Sequence, residues 1–297
     1  MSQYICVDIG GTSIKHGVLD ENAIIKECNQ TKTEAWLGGA AVLDKVKTIG
    51  KQYKEQYENI EGICISTAGM VDPEEGKIVF AGELMPGYTG TCIKKELEKA
   101  LEMPCEVEND VNCAGLAEYV SGSAKESHIM FCATVGTGIG GCAIVNGRVF
   151  HGASNSACEV GYIPMGDSDF QTLGASSILV RKVAEKKIEP LDRWDGKKIF
   201  ELAEKGDEVC ISAIKEMCDV LGKGLATICY VLNPDTIVLG GGIMVQKKIL
   251  ENEIRDSLNR YLRPILAEHL QVCFAEYGNE AGMVGALYNF QNKYGRK

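Results

Sequence analysis

One unit occurs twice in this chain: a strand, a glycine-rich turn, a second strand, and a tight turn into a third. The first copy reads Tyr4-Ile5-Cys6-Val7-Asp8, then Ile9-Gly10-Gly11-Thr12, then a strand over 13–19, with Asp20-Glu21-Asn22 leading into a third strand at 23–25. In the second copy residues 129–134 form a strand, 135–141 the turn and 142–145 a strand, and Asn146-Gly147 signals a hairpin to Arg148-Val149-Phe150. Gly10 and Gly136 stand at corresponding points, 126 residues apart. A repeat of that length predicts a duplicated fold with one copy per domain. The 297 residues suffice for two domains of about 150.

Between and after the repeats, strands alternate with helices, the pattern of an α/β fold. Leu43, Val46, Ile49, Tyr53 and Tyr57 recur at helical spacing. A strand over 60–65 ends in Ser66-Thr67-Ala68-Gly69, and a helix over 91–101 precedes a short strand at 105–107. Ile214, Met217, Leu221, Leu225 and Ile228 line one face of a long helix, and a strand over 236–239 runs into Gly240-Gly241-Gly242. A helix through Leu250 and Ile254 follows, and the last begins near Glu280 with Met283, Leu287 and Phe290 inward. No Pro/Ser-rich linker interrupts the chain. The expected division is therefore a hinge near residue 113, giving domains 1–113 and 114–297, with a final helix over about 283–297 packing back on the first.

The net charge of 31 − 41 = −10 argues against non-specific nucleic-acid or anionic-membrane partners, which need a basic surface. The 13 cysteines include no C-x-x-C pair and sit in apolar runs such as Ile63-Cys64-Ile65 and Phe131-Cys132-Ala133. They read as small buried hydrophobes in a reducing compartment. Asp8 breaks the first apolar run, so no signal peptide is expected, and the apolar stretch 129–145 is broken by glycines and short for a membrane span. A cytoplasmic, soluble protein is expected.

Three glycine clusters directly follow strands: Gly10-Gly11, 136–141 and 240–242. Backbone amides without side chains can cradle phosphate oxygens, with Thr12 and Thr137 adding hydroxyls and Lys15 a charge. One such cluster is an ordinary turn, whereas three, two of them in a repeated hairpin, favour a ligand. The run 136–141 also satisfies G-x-G-x-x-G, with Glu159 downstream. A dinucleotide fold requires the last glycine to open a helix, and here a hairpin follows, so that reading fails. There is no G-x-x-x-x-G-K-[ST]. In Glu108-Asn109-Asp110, Asp110 suits proton acceptance from a hydroxyl beside Asn109, although local sequence by itself favours an Asp or Asn helix cap. Asp8, ending a buried strand beside a phosphate-type turn, is placed to hold Mg²⁺ directly or through water. Glu159, after the loop 152–158, is either a ligand or a surface residue.

Together these residues resemble the ROK family (repressors, open reading frames and kinases) of bacterial sugar kinases, in the actin-like ATPase superfamily. The resemblance implies an α/β fold of two ribonuclease-H-like (actin-like) lobes around an interdomain cleft. Asp8-Ile9-Gly10-Gly11-Thr12 looks like the family's first phosphate motif, 135–141 the second, and Leu239-Gly240-Gly241-Gly242 the adenosine-side loop. Glu108-Asn109-Asp110-Val111-Asn112 is similar to the sugar and catalytic motif, and Cys158-Glu159-Val160-Gly161-Tyr162 to the sugar-contacting A-G-E-x-G-H segment.

The implied activity is transfer of a phosphoryl group from Mg-ATP to the 6-hydroxyl of a hexose, with Asp110 as general base. Gly69, Asn109, Asp110, Glu159 and Tyr162 would meet the sugar. Asp8, Gly10, Gly11, Thr12, Lys15, Gly136, Thr137, Gly138, Gly241 and Gly242 would meet the nucleotide, with Asp8 holding Mg²⁺ through water. A homodimer is the family-level expectation.

Typical members carry a zinc site made by a His in E-x-G-H and a C-x-C-G-x-x-G-C-x-E run. Tyr162 replaces that His and residues 166–173 contain no cysteine, so no zinc site is expected. Zinc-free members similar over Phe170-Gln171-Thr172-Leu173-Gly174-Ala175-Ser176-Ser177 include β-glucoside kinases and N-acetylmannosamine kinases. Glucose, a β-glucoside and N-acetylmannosamine are thus the implied candidates. The family's sugar-responsive repressors carry a helix-turn-helix ahead of D-I-G-G-T, where this sequence has seven residues before Asp8, so the repressor reading is weak. A non-catalytic sugar-binding protein is the other alternative.

Overall fold

Tyr4, Ile5, Cys6, Val7 and Ile9 are all buried, so the first strand has apolar neighbours on both faces. In the computed structural model, which describes residues 2–294, this strand is β1 (Gln3–Ile9), and β2 (Ser13–Asp20) and β3 (Ile25–Lys32) follow it as an antiparallel meander. The third strand starts later than the sequence suggests. Asp20 Oδ1 accepts hydrogen bonds from Asn22 N and Ile24 N at 3.0 Å, which extends the turn, and Ala23 sits within it at φ 62°.

The chain continues through α1 (Gly39–Gln56), β4 (Ile60–Thr67), the hairpin β5 (Met70–Asp72) and β6 (Lys77–Phe80), α2 (Ile93–Leu101), β7 (Cys105–Asn109) and α3 (Asp110–Val120). Helix α1 buries Val42, Leu43, Val46, Ile49 and Tyr53, and Tyr57 stands just beyond its end. The sheet order is β3-β2-β1-β4-β7, with β1, β4 and β7 parallel. Their register pairs Ile9 with Thr67 and Thr67 with Asn109, so all three strands end along one edge.

The second sheet repeats this plan. Strands β8 (Ile129–Val135), β9 (Ile139–Val145) and β10 (Arg148–Val149) form the meander. Its Asn146-Gly147 turn has φ 50° and 81°, the pair of positive values a type I′ hairpin requires. There follow a small hairpin, β11 (Pro164–Met165) and β12 (Ser168–Asp169), then α4 (Phe170–Gly174), α5 (Ser176–Lys187), α6 (Gly196–Glu204) and α7 (Glu208–Leu232). Strand β13 (Thr236–Gly240), α8 (Lys247–Tyr261), α9 (Pro264–Ala267) and β14 (Gln271–Phe274) complete it. The order β10-β9-β8-β13-β14, with β8, β13 and β14 parallel, matches the first sheet strand for strand.

Helix α10 (Ala281–Lys293) then packs on β1, β4, β7 and α3. Phe290 stacks edge-on against Tyr4 with ring centroids 5.4 Å apart, over the space left by Gly62. Residues 295–297, the end of the expected helix, lie outside the described residues. The described residues divide into two compact units: one runs to Ser121 and includes His151–Ala157 and residues 279–294, the other comprises Gly122–Phe150 and Cys158–Gly278. The chain leaves the first unit after Ser121 and not at residue 113 itself, because α3 continues unbroken to Val120. No helix among the described residues is long and apolar enough to cross a membrane.

A Cβ on Gly285 would lie 1.8 Å from the carbonyl oxygen of Cys113, so glycine is what lets α10 touch α3. Gly285→Ala should therefore force the two helices apart and lower stability by roughly 1–3 kcal/mol, read as a drop in the urea or thermal midpoint.

Candidate active site

At the common edge of β1, β4 and β7, Asp8 ends β1 with its carboxylate against the first turn of α10. A Cβ on Gly282 would lie 2.5 Å from the Asp8 carboxyl carbon. Ser66, its neighbour on β4, donates Oγ to Asp8 Oδ1 at 2.7 Å, the only hydrogen bond this carboxylate receives among the described residues. Burial pushes the Asp8 pKa up, and the Ser66 bond and the charge of Lys15 offset part of that. Lys15 lies opposite Asp8 on β2, its Nζ 3.1 Å from the Asn279 carbonyl. In the turn between these strands Gly10 N donates to Ser13 O at 3.0 Å, while Thr33 Oγ1 donates to Gly10 O at 2.6 Å. Gly11 and Thr12, at the tip, are exposed.

At the end of β7 the cap of α3 is Asn109, and Asp110 is the first helical residue. Asn109 Oδ1 accepts from Val111 N at 2.9 Å and Asn112 N at 3.1 Å. Its Nδ2 donates to Gly69 O at 2.9 Å and to Asp110 Oδ1 at 3.0 Å, and that oxygen also accepts from Val111 N at 2.9 Å. One amide thus caps the helix and aims the neighbouring carboxylate. Gly69 adopts φ 100°, and a Cβ there would lie 2.9 Å from Phe80 O. Tyr88 bonds Thr67 Oγ1 at 2.8 Å; burial, with a contribution from the Asp110 charge, raises its phenol pKa. Cys113 lies beneath, its thiol held in the protonated form by burial first and by the charges of Glu108, Asp8 and Asp110 after it.

Sequence reasoning missed a pair beside these residues. Glu108 is fully buried (0%), and its Oε1 accepts from Asn109 N at 2.8 Å and Asn112 Nδ2 at 2.9 Å. Its Oε2 lies 2.7 Å from His151 Nε2. The hydrogen bond to Glu108 is the main cause of a raised His151 pKa. The two residues lie 43 positions apart, so no local spacing reveals them.

The second unit carries a cavity of about 520 Å³ whose wall includes Gly136, Thr137, Ser176, Ser177, Gly196 and Gly242, within the usual size range of small-molecule sites. Ser176 Oγ donates to Gly136 O and Ser177 Oγ to Thr137 O, both at 2.7 Å, so the start of α5 holds the turn after β8. These serines and Gly196 were not among the residues expected at a ligand. The expected glycines are of two kinds. Gly241 has φ 98° and a Cβ there would meet Val135 O at 2.3 Å, and a Cβ on Gly138 would meet Gln171 Oε1 at 2.7 Å. Gly11, Gly136 and Gly242 have no left-handed φ, and among the described residues no atom beyond their chain neighbours and, for Gly242, its own helical turn lies within 4 Å of where a Cβ would stand.

Gly138, Gly241, Glu159 and Tyr162 do not line this cavity. Glu159 is exposed and its carboxyl pKa is raised by partial desolvation. Tyr162 is 58% exposed. The β11–β12 hairpin and α4 occupy the stretch where a zinc run would stand. They are anchored by buried Phe170 beneath Gly224 and by Asp169, which caps α4 through Thr172 N at 2.7 Å. Among the described residues no three His, Cys, Asp or Glu side chains converge closely enough to hold a metal ion.

The duplicated sheets are those of an actin-like ATPase fold. The ROK family model matches residues 4–293, and the chain belongs to that family. It is 30% identical over 295 residues to a β-glucoside kinase of Klebsiella pneumoniae, covering 97% of this chain and 95% of the relative. The ROK family glucokinase of Streptomyces griseus, solved with glucose and AMPPNP, superposes with a TM-score of 0.83 at 28% identity, over 97% of this chain and 98% of that one. A ROK family protein of Streptococcus pneumoniae TIGR4, solved with sucrose, gives 0.86 at 28% identity, over 99% and 100%.

The two kinds of glycine separate in a stability assay. Gly136→Ala and Gly242→Ala should change stability by less than about 0.5 kcal/mol, whereas Gly241→Ala should cost roughly 1–3 kcal/mol by strain and overpacking, all measured by calorimetry.

Proposed function

We propose that this chain, an ATP-dependent sugar kinase, transfers the γ-phosphoryl group of ATP to the 6-hydroxyl of a glucose unit, free or β-linked, with Asp110 as general base. The observation that carries the reading is the pair Gly136 and Gly242. Both line the cavity, and neither backbone conformation nor contact within the chain requires glycine at either. Glycine there leaves room for a group outside the chain, and backbone amides after a strand suit phosphate oxygens. Ser176 and Ser177 hold that turn in place, so the donor's phosphates meet a preformed wall.

Asp110 is directed by the Asn109 amide and the Val111 amide at one oxygen. As the sugar O6 forms its bond to phosphorus, the hydroxyl proton passes to the Asp110 carboxylate, the bond to the β-phosphate oxygen breaks, and ADP leaves. Asn109 serves first to aim Asp110, since its two amide hydrogens go to Gly69 O and Asp110. Glu159, Tyr162 and the Gly69 backbone offer the remaining sugar contacts. Gly10, Gly11, Thr12, Lys15, Thr137, Gly138 and Gly241 complete the expected nucleotide set.

Asp8 fits a Mg²⁺ site, because its desolvated carboxylate has a single hydrogen bond among the described residues and would accept a cation's water. When bound, that ion supplies charge neutralisation at the phosphates. Tyr162, exposed where typical members carry a histidine, suits a substituent on the anomeric carbon. β-Glucosides are therefore expected to turn over at least as well as glucose, and better than N-acetylmannosamine. We expect the protein to act in the cytoplasm, as a homodimer.

The test is sugar-dependent ADP release over glucose, cellobiose, an aryl β-glucoside and N-acetylmannosamine. Asp110→Asn should reduce kcat by about 10²–10⁴-fold while sugar binding, followed by calorimetry, persists. Unchanged turnover in that variant would overturn the mechanism. Gly136→Ala, which leaves the fold intact, should raise KM for ATP about tenfold by crowding the phosphates.

A further inference from the structure

The proposed mechanism makes no use of Glu108 and His151, yet Glu108 is the most completely buried charged side chain near Asp110. A carboxylate removed from water costs several kcal/mol unless its lone pairs are satisfied. Three donors satisfy this one, and two of them, Asn109 N and Asn112 Nδ2, flank Asp110 on the first turn of α3. The third is His151 Nε2 at 2.7 Å. His151 begins the segment His151–Ala157, whose ends meet through Ala157 N donating to His151 O at 3.1 Å. Gly152 at φ 72° and Asn155 at φ 57° give this segment a defined looped backbone. The imidazole is thus held on a preformed loop, and the carboxylate it grips holds the strand-to-helix junction.

We propose that His151 is a positioning residue for Asp110, acting through Glu108 and Asn109. This rests on the phosphoryl-transfer reading above. Without the imidazole, Glu108 keeps only the two donors on the junction and swings, which releases Asn109 N and loosens the amide that aims Asp110. The charged groups facing His151 are Glu108 on β7, Asp72 on β5 and Glu74 in the β5–β6 turn, all acidic. Glu74 is itself paired with Lys293 of α10 at 2.6 Å. A histidine raised by such neighbours adds its ion-pair contribution in full below its unfolded pKa, about 6.5. It loses that contribution as pH rises through the higher folded value.

The experiment compares wild type with His151→Ala and His151→Gln. His151→Ala should lower kcat about tenfold through loss of alignment, with KM for ATP unchanged. His151→Gln keeps a hydrogen-bond donor and should recover kcat to within about threefold of wild type. Wild type should lose kcat on the alkaline side as His151 deprotonates, a limb that His151→Gln lacks. Independently of activity, the Asn109, Val111 and Asn112 amide resonances of the wild-type protein should shift with pH in step with the His151 imidazole, and be flat in His151→Gln. A His151→Ala enzyme with wild-type kcat and pH profile, or amides that ignore the His151 titration, would overturn the proposal. Wild-type protein with no sugar-dependent turnover would instead overturn the kinase reading, and the resonance titration would still decide this one.

Discussion

A carboxylate at the end of a buried strand has few ways of being tolerated, and the surroundings of Asp8 follow from that. Strand β1 is too apolar to lie anywhere but the centre of its sheet, so its last side chains emerge into a crowded edge. One neighbour strand supplies Ser66, the other Lys15, and the start of α10 comes close enough that only glycine fits at 282. With α10 drawn in by that contact, Gly285 meets Cys113 and fixes α3 behind it. The residue that opens α3 is Asp110. The Asp8 and Asp110 carboxylates are thereby placed in one framework of backbone contacts, and side-chain adjustment alone would not move one relative to the other.

The features legible in the sequence are those whose cause is local. A continuous apolar strand ending in glycines, and an Asn-Gly pair between strands, need only neighbouring residues to specify them, and both copies of the meander appear where the glycines indicate. The start of β3 was misread because the Asp20 side chain lengthens its turn by hydrogen bonds that composition does not announce. Asn109 and Asp110 both suit a cap, an amide and an acid side by side, and the geometry assigns the cap to Asn109 and makes Asp110 the first helical residue. The first stretch of the first unit runs past residue 113 to Ser121, since α3 carries the chain onward to Val120.

What sequence could not show depends on long-range pairing. His151 lies in a loop whose neighbours in sequence belong to the other unit, and its partner is a glutamate inside a strand. The Ser176 and Ser177 hydroxyls look like ordinary helix-start residues until they are seen to hold the carbonyls of the turn 40 positions earlier. The glycine clusters were recognised as a group, but sorting them needed coordinates. Gly241 is required by its own backbone, whereas neither a left-handed φ nor a close contact calls for glycine at 136 or 242. That distinction makes a motif informative about ligands, because it removes the glycines that the fold itself would have demanded.

Helix α10 also has a consequence for how the protein is made. Every strand of the first sheet has been synthesised once Asn109 is added, yet the helix that covers β1, β4 and β7 on one side is encoded by the last residues of the chain. The earliest unit to emerge from a ribosome is therefore the last to be completed. Throughout translation of the intervening residues, the apolar face around Tyr4 and Gly62 waits for Phe290. A chain stopped before α10 would carry an intact second unit and a first unit with an exposed sheet face, the condition in which nascent proteins aggregate or recruit chaperones.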